Sequence, residues 1–290
     1  MGDWTGVGGR RVLLTGATNG IGLAAARALA ADGARLAIVA RSESRGAEAA
    51  AAIAAGAPDA DRVDVLVADL ARQSDVRALA EEALGRYPRL DVLVNNAGAV
   101  FSRRELTPEG HERTWAVNHL APFLLTNLLL ERLRESAPAR VVTTASDAHK
   151  GATIPFADFA GERDYGRTGF HRYGETKLAN ILFTAELARR LEGTGVTATC
   201  FHPGVVATGF NHNNGAVARV AMTVMRPFLR RPERGADTLV WLVETPEVVD
   251  GAYYVDRQVA TPSAAARDDE AARRLWEASL AQVGLAGAAA

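Results

Sequence analysis

The stretch Thr15-Gly16-Ala17-Thr18-Asn19-Gly20-Ile21-Gly22 decides how the rest of this sequence is read. It follows an apolar run, residues 11–15, and opens an alanine-rich stretch of helical period, residues 21–31. Strand, glycine-rich turn and helix in that order let backbone approach a phosphate closely. The free N–H groups and the dipole of the helix N-terminus then favour that anion. Glycine clusters also occur as plain turns, but the same alternation continues along the chain, which favours a binding turn. Gly16, Thr18, Asn19, Gly20, Ile21 and Gly22 are therefore candidate cofactor-binding residues.

Working outward, apolar runs of strand length at 35–40, 63–67, 91–95, 140–144 and 196–201 alternate with helical patterns. The helical patterns cover 43–55, 76–87, a long region ending near Glu135, and 173–191. Short, fully apolar strands alternating with helices predict an α/β fold: a Rossmann-type, doubly wound parallel sheet with helices on both faces. No repeat or linker divides the chain. A single domain is expected over 11–284, after a flexible lead at 1–10 and before a frayed tail at 285–290. Two segments break the alternation, 151–171 and 205–234, and are expected to wall the substrate site.

The composition excludes several classes. In 290 residues, 33 Lys and Arg face 34 Asp and Glu, for a formal charge of −1, whereas nucleic-acid binders usually carry a basic excess. The one cysteine, Cys200, precludes an intrachain disulfide and fits a reducing, cytoplasmic setting. The histidines show no metal-binding spacing. No run approaches the ~20 apolar residues of a membrane span, and the first residues lack a signal-peptide layout.

The end of the second predicted strand selects the cofactor. A carboxylate there would bond the ribose 2′-hydroxyl of NAD. This chain has Ala40, then Arg41, with Arg45 one turn on. A guanidinium can bind a 2′-phosphate bidentately, so NADP(H) is expected; the alternative is that both arginines are solvated surface residues. Tyr173 and Lys177, four apart on a predicted helix, project from one face. A free phenol, with a pKa of about 10, is a poor base near neutrality, and a neighbouring ammonium would lower that value. Ser146 lies just past the fifth strand, and Asn118 interrupts an apolar helical segment, where Asn has no local advantage. Asp69-Leu70, Asn95-Asn96-Ala97-Gly98 and Pro203-Gly204-Val205-Val206-Ala207-Thr208 close the third, fourth and sixth strands. All of these fall at the carboxyl ends of strands, where doubly wound sheets bind ligands.

With T-G-x-x-x-G-x-G, N-N-A-G, Y-x-x-x-K and P-G-x-x-x-T in this order, the chain resembles a short-chain dehydrogenase/reductase from Arg11 to about Gly284. Tyr173-Gly174-Glu175-Thr176-Lys177-Leu178-Ala179-Asn180, His202-Pro203-Gly204-Val205-Val206 and Gly251-Ala252-Tyr253-Tyr254-Val255 make it most similar to the retinol-dehydrogenase-like, NADP-dependent branch. The resemblance implies a tetrad of Asn118, Ser146, Tyr173 and Lys177. In it Tyr173 is the general acid/base and Ser146 bonds the carbonyl oxygen. Lys177 lowers the tyrosine pKa and holds the ribose, and Asn118 positions a relay water. It further implies cofactor contacts from Asp69 (adenine) and Leu70, from Asn95 (adenosine side), Ala97 and Gly98, from Tyr173 and Lys177, and from Pro203, Gly204, Val206 and Thr208 (carboxamide). Thr176 and Ala145 stand where the family often has serine.

Ser146 and Tyr173 stand 27 positions apart, more than the resemblance implies. The extra segment carries Ile154, Pro155, Phe156, Phe159, Tyr165 and Phe170. It is read as an apolar substrate wall, as a cover over the helices by which many relatives form tetramers (favouring a monomer or homodimer), or as a flap that buries its own aromatics. Met222, Met225 and Leu229, with Phe228 and several arginines, are read as a lipophilic lid in preference to a membrane-surface contact, or as a surface helix. His149 and Lys150 follow Ser146 closely and could touch substrate, but are expected to be surface polar residues; His171 and His202 are expected to be structural or to support the site from behind. The expected activity is NADP(H)-dependent interconversion of a lipophilic ketone or aldehyde and its alcohol, in the reductive direction. The alternatives are a non-catalytic NADP(H)-binding sensor or scaffold, or an NAD-linked alcohol dehydrogenase of the same fold.

Overall fold

Val12, Leu13 and Leu14 are consecutive and fully buried, yet they enter different cores. Alternation along the strand sends Leu13 to one face and Val12 and Leu14 to the other. The same happens in the next strand, where Leu36 and Ile38 oppose Ala37 and Val39. Strands apolar on both faces need helices on both faces, since each core residue of this size stabilises by roughly 1.5–3 kcal/mol when removed from water.

The computed structural model describes residues 4–57, 63–166, 168–206 and 230–286. The strands are β1 (Arg11–Thr15), β2 (Arg35–Ala40), β3 (Val63–Val67), β4 (Val92–Asn95), β5 (Ala139–Thr144), β6 (Val196–His202), β7 (Tyr253–Val255) and β8 (Gln258–Val259). The helices are α1 (Gly20–Ala31), α2 (Glu43–Ala54), α3 (Gln73–Arg86), α4 (Arg113–Trp115), α5 (Ala121–Glu135), α6 (Phe170–Arg190), α7 (Pro232–Glu244) and α8 (Asp269–Gln282). The sheet order is β3-β2-β1-β4-β5-β6-β7-β8, parallel except for the last pair. Residues of α1, α2 and α7 fill one core, and those of α3, α5, α6 and α8 the other. The chain reverses its direction of travel across the sheet between β1 and β4, which opens a crevice at their carboxyl ends.

All six expected strands are present in one doubly wound domain. Several local expectations are corrected. Helix α6 begins at Phe170, so Phe170 and His171 belong to a helix and not to the loop. Residues 232–234, expected in a wall, open α7; Pro232 in its first turn was a legible start signal. Strands β7 and β8 have three and two residues, too short to show a period. From residue 4 onward the N-terminal lead makes contacts with the body. Trp4 is buried, its indole Nε1 donates to the Val243 carbonyl at 3.0 Å, and its ring lies between the guanidiniums of Arg10 (3.9 Å) and Arg140 (4.1 Å). At the other end Leu285 is docked: its amide donates to the Leu280 carbonyl at 2.9 Å and its side chain packs on the core. Among the described residues no helix is long and apolar enough to cross a membrane.

Candidate active site

The glycine-rich turn is pressed against the loop that ends β4. A Cβ on Gly16, whose φ is +72°, would stand 2.8 Å from the Ala97 Cα, and one on Gly22 would stand 2.1 Å from the Gly16 carbonyl oxygen. Thr15 Oγ1 accepts from the amides of Asn96 (3.0 Å) and Ala97 (3.1 Å). Asn96 Nδ2 donates to the carbonyls of Thr15 (3.1 Å) and Gly16 (3.3 Å), and its Oδ1 accepts from Thr144 Oγ1 at 3.2 Å. Asn96 thus joins the ends of β1, β4 and β5, a role that sequence reading missed. The only signal was an Asn pair, whose members must point to opposite sides of the chain. Asn95 is the inward one: it is buried and its Nδ2 donates to Thr126 Oγ1 at 2.9 Å. Its amide therefore braces α5.

Asn19 precedes α1 in extended conformation with no side-chain cap, so the first-turn amides have no acceptor from its side chain. Thr18 is partly exposed and Asn19 exposed. Ile21 meets Val206 across Gly235, where a Cβ would lie 3.1 Å from Ile21 Cγ1 and 2.6 Å from Val206 Cγ2. Gly204 (φ +80°) packs under Arg230, which pairs with Asp256 at 2.5 Å. Pro203 is buried beside it. Arg41 and Arg45 are exposed past β2 and make no ion pair among the described residues. Past β3, Asp69 Oδ1 accepts from the Ala71 amide at 3.0 Å, and Leu70 packs on the core. Thr208 and the expected lid residues Met222, Met225, Phe228 and Leu229 lie outside the described residues.

The four tetrad candidates come together. Ser146 follows β5; its Oγ accepts from the Ala148 amide at 3.2 Å and is hydrogen-bonded to the Tyr173 phenol. Lys177 Nζ donates to the Thr144 carbonyl at 2.8 Å and lies 5.3 Å from the Tyr173 ring centroid. Asn118 sits in a π turn, Ala116–Leu120, between α4 and α5; such turns re-aim a side chain out of helical register. Its Oδ1 accepts from the Ala99 amide at 2.8 Å, and its Nδ2 donates to the Ala99 carbonyl (2.9 Å) and to Thr176 Oγ1 (3.2 Å). A Cβ on Gly98 would be 3.4 Å from Asn118 Oδ1 and 3.6 Å from Lys177 Nζ, which ties the β4 loop to the tetrad. Gly174 is a second missed residue. A Cβ there would be 2.6 Å from the Ala148 carbonyl oxygen, so only glycine lets α6 approach the turn that carries Ser146.

Burial pushes the Tyr173 phenol pKa up, opposed by the hydrogen bond with Ser146. Burial also lowers the Lys177 ammonium to about 7. Both shifts have one cause: the charged form of each group loses water.

The extra segment is fastened to the body. Arg172, fully buried, donates to Glu112 Oε2 (3.0 Å), Glu175 Oε2 (2.8 Å) and the Phe159 carbonyl. Glu112 also caps α4 through the amides of Thr114 (2.7 Å) and Trp115 (2.8 Å). Breaking one side of such a buried charged network costs roughly 3–5 kcal/mol. Ile154, Phe156 and Phe159 pack on the core, and the Tyr165 hydroxyl donates to the Phe101 carbonyl at 2.7 Å. Phe170 differs from them: it is 57% exposed, with its ring centroid 5.7 Å from that of Tyr173. Gly169 before it, at φ +68°, leaves no room for a Cβ against the Phe101 carbonyl. Lys150 is exposed and pairs with Asp147 at 2.9 Å. His149, expected at the surface, is fully buried, because both its ring nitrogens find partners inside the fold. His202 accepts from the Asp147 amide at 3.2 Å, and Cys200 is buried.

A family model described as short chain dehydrogenase matches residues 10–218. The chain belongs to this family. It is similar to retinol dehydrogenase 12 of Mus musculus, 42% identical over 281 residues that cover 96% of this chain and 87% of the relative. A protein of Streptomyces sp. (strain C5), provisionally named a daunorubicin C-13 ketoreductase, is 44% identical over 286 residues, covering 96% and 94%. Among solved structures, the NADP active-site complex of RhlG from Pseudomonas aeruginosa superposes with a TM-score of 0.69 at 28% identity, covering 87% of this chain and 96% of the other. The short-chain oxidoreductase family and its retinol-dehydrogenase-like character are as the motifs implied.

Proposed function

We propose that this oxidoreductase is an NADP(H)-dependent carbonyl reductase acting on lipophilic ketones or aldehydes. The observation that carries the reading is the pair of hydroxyls on Ser146 and Tyr173, bonded to each other with Lys177 beside the ring. Two adjacent hydroxyls can both turn to one carbonyl oxygen. Ser146 Oγ, held by the Ala148 amide, keeps its proton available to that oxygen. Burial keeps the Tyr173 phenol protonated at neutral pH, the state needed to donate a proton to the developing alkoxide. That state favours the reductive direction. Lys177 Nζ, anchored on the Thr144 carbonyl, is placed to return charge to the site. Asn118 holds the Ala99 backbone and Thr176 in place.

The residues fit a dinucleotide. Gly16 and Gly22 leave no room for a Cβ where the turn closes on itself and on the loop after β4, and the uncapped N-terminus of α1 offers amides to a pyrophosphate. When bound, NADPH supplies the hydride. Arg41 and Arg45 are the cations placed to receive its 2′-phosphate, in keeping with the NADP held by the RhlG neighbour. Arg41→Asp is expected to raise the NADPH Kd by about 10- to 100-fold, as loss of a charged hydrogen bond of about 1.5–3 kcal/mol would, with the NADH Kd within about twofold. Fluorescence titration of both nucleotides reads this; tighter NADH than NADPH binding in the wild type would overturn it.

Phe170 supports an apolar substrate, since an aromatic ring left in water beside the reactive phenol offers a stacking surface. The names of the relatives point the same way, one referring to retinol and the other to reduction of daunorubicin at C-13. Phe170→Ala is expected to raise KM for aromatic or polyene carbonyls about 5- to 10-fold, as loss of an aromatic contact of about 1–1.5 kcal/mol would, and to leave KM for a small aliphatic aldehyde unchanged. Equal effects on both substrates would remove Phe170 from the substrate surface. The activity itself is tested by NADPH consumption against lipophilic aldehydes and ketones. Tight NADPH binding without turnover across that panel would favour a binding protein over an enzyme.

A further inference from the structure

We propose that His149 is a positioning residue for Ser146; this rests on the reductase reading above. His149 is fully buried, three residues after Ser146, in the short turn Asp147–His149. Its Nδ1 is 2.7 Å from the Ser146 carbonyl oxygen, and its Nε2 is 3.1 Å from the backbone amide of Ser263. The Ser263 N–H can only donate, so Nε2 accepts. The neutral ring must then carry its proton on Nδ1 and donate it to the Ser146 carbonyl, which can only accept. A residue brought in from beyond β8 thus sets the tautomer that grips the turn. The backbone amide of His149 donates to the same carbonyl at 3.1 Å, so one residue supplies two donors to it.

That carbonyl belongs to the peptide plane that follows Ser146, and fixing the plane fixes ψ of Ser146 at 153°. The same plane sets where the Ala148 amide lies, and that amide holds Ser146 Oγ at 3.2 Å. The far side of the turn is clamped independently. The Tyr253 hydroxyl donates to Asp147 Oδ1 at 2.9 Å, and the Asp147 amide donates to His202 Nδ1 at 3.2 Å. The Tyr253 ring stands edge-on to His149, with centroids 5.4 Å apart. His149 does not touch the carbonyl substrate. It acts through the orientation of the Ser146 hydroxyl, where a misplacement near 1 Å can cost about 100-fold in rate.

The test compares His149→Asn, His149→Gln and His149→Phe for kcat, KM, NADPH Kd and near-ultraviolet circular dichroism. Asn places an amide nitrogen where Nδ1 was and can still donate to Ser146; Gln reaches towards Ser263 instead, and Phe fills the space with no donor. The expected result is kcat within about threefold of wild type for His149→Asn and a loss of about 30- to 100-fold for the other two. NADPH Kd should stay within about twofold throughout. Equal kcat in all three variants would overturn the proposal, as would a loss in His149→Asn as large as in His149→Phe. Imidazole nitrogen NMR shifts of the wild type supply a readout independent of turnover: a protonated Nδ1 with a bare Nε2 is expected, and a protonated Nε2 would overturn the arrangement. A wild type with no turnover but that tautomer would sink the reductase reading and leave the His149 clamp standing, whereas an active wild type with the other tautomer would do the reverse.

Discussion

Tyr173→Phe should lower turnover of any accepted carbonyl by about 10²–10⁴-fold, the usual weight of a positioned general acid. The substitution removes one oxygen and little else. The ring keeps its burial and its neighbours Phe170, at 5.7 Å, and Lys177 Nζ, at 5.3 Å. What disappears is the proton donor and its bond with Ser146. The glycine-rich turn and the arginines past β2 are untouched, so NADPH Kd should stay within about twofold, while kcat and kcat/KM fall together, the pattern of an interaction made in the transition state. Single-turnover NADPH oxidation beside a binding titration separates the two effects. A variant that kept kcat within threefold would take Tyr173 out of the reaction.

Gly22→Ala should have the largest effect on cofactor binding. A methyl group there would sit 2.1 Å from the Gly16 carbonyl oxygen and 2.6 Å from Asn96 Nδ2. The first atom is backbone and cannot rotate away, so β1 and α1 must separate. Forcing a methyl into a packed interior costs about 1–3 kcal/mol, and here the strain falls on the turn that would hold the pyrophosphate. The expected outcome is a melting temperature lower by several degrees and an NADPH Kd raised at least 100-fold, equivalent to about 2.8 kcal/mol. Gly85→Ala is the control. It lies in α3 with nothing within 4 Å of its added Cβ, and should stabilise the protein by up to about 1 kcal/mol through helix propensity. Equal NADPH affinity in Gly22→Ala and wild type would exclude this turn as the nucleotide site.

Sequence alone determined the first six strands of the sheet and the addresses of the four candidate site residues. The apolar runs that became β1 to β6 are continuous because both of their faces are buried, and that pattern is local. Ser146, Tyr173, Lys177 and the Asn95–Gly98 loop were legible because a parallel sheet delivers every strand end to one edge, so order along the chain becomes proximity in space. The tertiary structure decided which side chains near that edge face inward. The aromatics of 151–171 look alike in sequence, but Arg172 pins the segment through Glu112, far back in the chain, and leaves Phe170 outside. Asn95 and Asn96 differ only in the direction each faces. Trp4 is buried because Val243, Arg10 and Arg140 meet it. His149 is held because Ser263 arrives from beyond β8. In each case the deciding partner is distant along the chain, and no local period or propensity encodes a contact whose other half is placed by the fold.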